Sequence, residues 1–177
     1  MNKKITQGMS EYGIIGPLRI PIKKGGRGNI IDSQNLQNFW RDPKADNIKA
    51  KRGCYVFGIR AAKGIVPYYV GKTSRCDFEG ECFTADKLVK YMEALSETKK
   101  GSPVLFFVVH PNKRGKTNSR QIDEIETFLV KLECIKNPSH GNNQKTKRED
   151  WLIMGMTGGR KPSTSANEFK KMMGFNK

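Results

Sequence analysis

The stretch Gly53-Cys54-Tyr55-Val56-Phe57, followed by Tyr69-Val70-Gly71-Lys72, decides how the chain is read. Tyr55, Phe57 and Ile59 recur at every second position, which predicts a strand over 54–60. A turn at Ala61 to Gly64 and a second strand over 66–70 make the pair a hairpin. Side chains alternate along a strand, so Tyr55 and Phe57 share one face, and Tyr69 and Gly71 share a face of the next strand. Two phenols are therefore expected to meet beside a residue without a side chain, where a phosphate could approach the backbone. Strand tyrosines also occur simply because aromatic rings pack well on a pleated surface, and that reading stays open.

Outward from the hairpin, Thr84 can cap a helix reaching about Thr98, with Ala85, Leu88, Met92 and Leu95 on one face. The unbroken apolar run Val104 to Val109 predicts a central strand buried on both faces. Residues 111–120 have no apolar anchor and read as a basic loop. Ile122, Ile125, Leu129 and Leu132 then recur every three or four positions, a helix with Ser119 as its candidate cap. Residues 137–150 read as loop, and Ser165 with Glu168 suggests a capping box opening a last basic helix that stops at Gly174. On the N-terminal side, Leu18, Ile20 and Ile22 alternate in a strand over 14–23 that Pro17 and Pro21 would confine to a sheet edge. The Gly25-Gly26-Arg27-Gly28 segment reads as a flexible basic loop, and Leu36, Phe39 and Trp40 as a short helix capped by Asp32 or Ser33.

A chain of 177 residues suffices for one ordinary domain with a real core. Its 33 basic and 17 acidic residues leave a formal charge of +16, which points to a polyanionic partner, nucleic acid first. The charge is partitioned: 12 basic against 4 acidic residues in 1–60, 12 against 10 in 61–134, and 9 against 3 in 135–177. A near-neutral centre between basic flanks suits a polymer of phosphates. No window approaches the roughly 18 apolar residues of a membrane span, so no membrane role is expected, and the N-terminus lacks a signal-type apolar run. Cys54, Cys76, Cys82 and Cys134 follow no disulfide or zinc spacing, which fits a cytoplasmic location.

The order of Gly53-x-Tyr55, Tyr69-Val70-Gly71-Lys72, Glu126-x-x-Leu129-Val130, Pro138 and Asn142 resembles the GIY-YIG nuclease family over about half the chain. Cys54 stands in place of the central Ile of the first motif. The arginine that the family carries about eight residues after its second motif is also missing, since that position is Glu79. An insertion over Ser74 to Phe83 delays the helix, so Lys87 is the nominee for its clamping role, without arginine's bidentate fork. Gly71-Lys72-Thr73 also resembles the end of a nucleotide-binding P-loop, but Val66 stands where that motif needs its first glycine.

The resemblance implies an α+β (mixed α/β) fold with a small, mainly antiparallel three-stranded sheet packed by helices, carrying basic extensions at both ends. In this division 1–52 is an N-terminal extension with an edge strand and a short helix, 53–145 the nuclease-like core and 146–177 the C-terminal extension, in one compact domain. It further implies a metal-dependent endonuclease acting on nucleic acid, DNA favoured, with Tyr55, Tyr69, Lys72, Lys87, Glu126 and Asn142 as catalytic residues. Glu126 would hold Mg²⁺ or Mn²⁺, Tyr55 would help activate water and Tyr69 would position it. Gly71, Arg75, Lys90, Tyr91, Arg114 and Lys116 would contact the nucleic acid. The alternative is a binding module that keeps the scaffold and has lost cleavage, for which the missing arginine speaks.

Overall fold

The computed structural model describes residues 10–25, 28–73, 75–98, 101–111, 117–136, 151–158 and 161–175. The apolar run becomes β6 (Ser102–Val109), the strand around which everything else is arranged. It pairs antiparallel with β4 (Gly53–Ala61) on one side and β1 (Ser10–Arg19) on the other. β5 (Gly64–Lys72) continues the sheet as the hairpin partner of β4, with Tyr55 opposite Gly71 and Phe57 opposite Tyr69. A three-residue strand, β7 (Trp151–Ile153), adds to β1 in parallel, giving the order β5-β4-β6-β1-β7. The protein is thus α+β, a four-stranded antiparallel sheet packed against helices with one short parallel addition.

This differs from the expected three-stranded sheet with an edge strand over 14–23. β1 is an inner strand of the same sheet as the hairpin, so the N-terminal segment is built into the core sheet. The proline argument holds locally: β7 covers only Ser10 to Tyr12, and Pro17 lies where the β1–β6 register shifts between Ile15 and Leu18. Beyond Tyr12 that side of β1 has no partner strand among the described residues, so no ladder bond asks for the missing N–H. Around the expected basic loop at Gly25 to Gly28, β2 (Lys23–Gly25) and β3 (Gly28–Ile30) pair as a small two-stranded sheet, and Gly26 and Arg27 between them lie outside the described residues.

Because β6 is covered on both sides, its side chains divide between two cores. Leu105, Phe107 and Val109 join Tyr55, Phe57 and Ile59 beneath α1 (Ser33–Arg41), α2 (Pro43–Asp46), α3 (Phe78–Glu81) and α4 (Ala85–Glu97). Val104, Phe106 and Val108 join Cys54, Val56 and Val70 beneath α5 (Ser119–Lys136) and α6 (Thr164–Met173). Phe107 contacts Phe39, Trp40 and Phe78, with ring centroids 6.4, 6.3 and 4.8 Å away. Phe57 stacks on Tyr91 at 4.1 Å.

Helix starts follow local hydrogen bonding more closely than residue preference. Asp32 accepts from the Asn35 N–H at 2.9 Å, and Asn35 answers from its side chain, closing a capping box. Thr84 stands at the N-cap of α4 as expected, but its hydroxyl donates to Asp86 at 2.6 Å and makes no capping bond to the backbone. Asn118, not Ser119, accepts from the Gln121 N–H ahead of α5. Ser163 caps α6 by accepting from Ala166, while Glu168 pairs with Arg60 instead of completing the expected box. Gly174 stops that helix in the left-handed region at φ 69°. No helix among the described residues is long and apolar enough to cross a membrane.

His110 closes β6 edge-on to Tyr12, with its Nε2 accepting from the Asn118 N–H at 3.4 Å. Burial holds its pKa below the usual 6.5, so the fold favours the neutral ring. A depressed folded-state pKa contributes stability that is full above pH 6.5 and is lost as pH falls through the lower folded value. The melting temperature should therefore decline on acidification below that point, and His110→Phe should blunt the decline.

Candidate functional site

Gly53 opens β4 at φ 149°, and a Cβ there would collide with the Val108 carbonyl, so only glycine lets β6 come this close. Thr73, buried at the end of β5, accepts from the Gly53 N–H and donates its own N–H to the Gly53 carbonyl, both at 2.9 Å. This end of the hairpin is thereby pinned, and the motif tyrosines sit just inside it.

Tyr55 and Tyr69 do meet, with ring centroids 6.2 Å apart. Their surroundings differ. Tyr55 is 0% exposed, burial pushes its pKa far above the ordinary tyrosine range, and its hydroxyl, outside ideal hydrogen-bond geometry, still lies close enough to the Tyr69 phenol to pull that group's pKa down. Tyr69 is half-buried; burial raises its pKa first, and the charge of Lys87 partly offsets this. Both phenols are neutral at physiological pH, so each is a hydrogen-bond donor and neither a ready base. Tyr55 therefore lacks the solvent access that activating a water would require.

Gly71 has a different task from the one its small size suggests. A Cβ at this position would lie 2.5 Å from the Tyr55 Oη, because the phenol lies across the cross-strand glycine. The space is taken by protein and gives a phosphate no route to the backbone. Gly71→Ala should force the Tyr55 ring out of place and cost about 1–3 kcal/mol, as overpacking of a filled core does. Chemical denaturation of the variant checks this.

The second cluster lies on the α5 side of the hairpin. Lys72 Nζ is 2.7 Å from Glu126 and 3.1 Å from Asp123. Its hydrogen bond to Glu126 raises its pKa above 10.5, so the ammonium persists. Glu126 is partly exposed at the core margin, between Ile122 and Val130 in the row of residues four apart. Asp123 was absent from the sequence reading, although its place one turn before Glu126 was the available signal. Beneath them Cys54 is buried and donates its thiol to the Ile122 carbonyl at 3.3 Å, tying β4 to α5.

On the α4 side, two of the expected phosphate contacts are spent inside the protein. Burial works against the charge of Lys87, but pairing with Glu81 at 2.7 Å and Asp86 at 3.5 Å outweighs it and raises the pKa. With 13% of its side chain exposed, Lys87 is committed to the start of α4. Tyr91 is fully buried, donates to the Cys82 carbonyl at 3.0 Å and stacks on Phe57, so it cannot touch nucleic acid in this conformation. Lys90, one turn beyond Lys87, is exposed and lies over the Tyr69 ring at 4.6 Å. Arg75 is exposed, and its carbonyl accepts from Arg52. Asn142, Arg114 and Lys116 lie outside the described residues.

A groove of about 430 Å³ follows the open edge of β5 between α4 and α5, lined in part by Tyr69, Lys90, Glu93, Glu97, Val130 and Glu133. Its carboxylates make the length of the groove unwelcoming to phosphate. The end where Tyr69 and Lys90 stand is the part suited to an anion. Tyr69 and the Lys72–Glu126 pair stand on opposite faces of the hairpin.

No group of three or more His, Cys, Asp or Glu side chains poised for a metal occurs among the described residues. Mg²⁺ needs fewer, since it commonly keeps several waters and takes one or two carboxylates plus substrate phosphate. Asp123 and Glu126 already converge on one cationic point, the Lys72 ammonium, and as hard oxygen donors they fit Mg²⁺ or Mn²⁺. No family model matches this chain, and no curated protein or solved structure is similar to it at a significant level.

Proposed function

We propose that the chain is a metal-dependent endonuclease resembling the GIY-YIG type, hydrolysing a phosphodiester bond in nucleic acid, with DNA the favoured substrate. The observation that carries this reading is the convergence of Lys72 from the second motif on Glu126 from the third, 2.7 Å apart on the α5 side of the hairpin. Residues distant in sequence, and singled out by motif alone, thereby meet at one end of β5.

Glu126 and Asp123 would hold the metal, which when bound stabilises negative charge on the scissile phosphate and acidifies a coordinated water. Tyr69, a neutral donor at the surface, would hydrogen-bond a phosphate oxygen or the attacking water. Lys90 and Lys72 would offset charge that grows toward the transition state. Tyr55 acts at one remove, as a positioning residue whose buried ring fixes Tyr69 and fills the space over Gly71.

A second reading keeps nucleic-acid binding and drops cleavage. It is favoured by Tyr55 being sealed from solvent and by Lys87 being neutralised by Glu81 and Asp86. Incubating the protein with branched DNA, duplex DNA and RNA, with and without Mg²⁺, separates the two: the first requires metal-dependent products, the second binding alone.

The two lysines of α4 should behave differently. Lys90→Ala should slow cleavage by about tenfold or more, since a hydrogen bond to a charged group is worth about 1.5–3 kcal/mol. Lys87→Ala should instead lower stability by about 1–2 kcal/mol by leaving Glu81 unpaired, with the smaller effect on rate. Single-turnover rates together with denaturation midpoints distinguish these outcomes.

A further inference from the structure

The far end of the same hairpin carries a second charged surface that the catalytic proposal does not use. The β4–β5 turn and the C-terminal ends of α5 and α6 enclose a groove of about 430 Å³. Its lining brings together Arg60, Lys63, Lys136 and Lys171, with Glu168 as the one carboxylate. Arg60 engages that carboxylate at 3.0 Å, which leaves Lys63, Lys136 and Lys171 with no ion pair among the described residues. All three are exposed. Lys136 and Lys171 lie in the last turns of their helices, where a cation also offsets the helix dipole. Lys63 comes from the hairpin turn and has no such role, yet it faces the same groove.

We infer that this groove is a second phosphate-backbone contact for a nucleic acid that also reaches Glu126, an inference that rests on nucleic acid being the partner. The geometry supports a shared ligand because α5 links the two places. Glu126 and Lys136 are ten residues apart on this helix, about 15 Å at 1.5 Å per residue. Backbone phosphates spaced about 3.4 Å per strand along duplex DNA cover this in four or five nucleotides. An anionic membrane is the weaker fit. The surface is concave, and the turn Ala61-Ala62-Lys63-Gly64 has no aromatic or long apolar side chain to enter a bilayer.

The test is the triple variant Lys63→Gln, Lys136→Gln, Lys171→Gln, with circular dichroism and melting to confirm that it folds. Binding of a labelled 20-base-pair duplex is followed by anisotropy across a salt series. Three lost phosphate contacts should flatten the slope of log affinity against log salt by about 2.7 units. A two-nucleotide strand, too short to span both places while seated at Glu126, should show a far smaller change. An unchanged slope in the folded variant overturns the groove, even if the wild type cleaves. A flattened slope upholds it, even if the wild type cleaves nothing, so this result is separable from the catalytic reading. Loss of binding to phosphatidylserine vesicles with duplex binding intact also overturns it.

Discussion

Glu126→Gln is expected to lower metal-stimulated cleavage by about 10² to 10³-fold or more while duplex affinity changes little. The substitution keeps size and polarity but removes the charge that pairs with Lys72 at 2.7 Å and that would hold the metal. Losing one preorganised electrostatic contact to the developing charge typically costs on this order. Affinity should survive because the basic surfaces, not this carboxylate, attract phosphate. Asp123→Asn should show a smaller loss, since Asp123 is the more exposed and more distant of the two partners of Lys72. Retained cleavage in Glu126→Gln would remove the proposed metal position, and equal losses in both variants would make the carboxylates a single unit.

Phe107→Ala should produce the largest loss of stability of any single truncation named here, about 3–5 kcal/mol. The residue is fully buried, and its ring touches Phe39 and Trp40 of α1 and Phe78 of α3. Removing it leaves a cavity at the junction of the N-terminal helix with the central strand. Because β1 lies in the same sheet, the loss should appear in one cooperative transition, and chemical denaturation followed by two probes should give coincident curves. Separate transitions would mean that residues before Gly53 fold as an appendage. The same architecture bears on truncation: deleting residues 1–30 removes an inner strand, so any resulting weakness in binding would report unfolding before it reported lost charge.

The parts of the fold that were legible are those where one local pattern has one outcome. Val104 to Val109 could only be buried on both faces, and the spacing of Ile122, Ile125 and Leu129 could only be one side of a helix. Glu126 was correctly placed at a core margin because its row is set by helical geometry alone. What sequence misjudged depends on partners. Pro17 argues for an edge, and it does face an uncovered side of β1, but the strand is inner because a three-residue β7 pairs with its other end. Nothing within 151–153 announces so short a strand.

The site shows the same division. That the two tyrosines approach one another follows from strand alternation, whereas their accessibility depends on cross-strand register. Tyr55 falls opposite Gly71, and the glycine admits the ring rather than a ligand. Lys87 and Lys90 differ by only three positions on α4, and which one faces open solvent is decided by where Glu81 lies at the end of the preceding helical turn. Asp123 was visible as a neighbour of Glu126, but its value as a second carboxylate appears only when β5 brings Lys72 between them.

The most direct test of the central claim is the rate at which the purified protein nicks supercoiled plasmid in Mg²⁺, measured beside the same protein in chelator and beside Glu126→Gln. The account predicts nicking by the wild type in Mg²⁺ alone, with the other two reactions at background. No nicking in Mg²⁺ or Mn²⁺, or equal nicking in all three reactions, would contradict it.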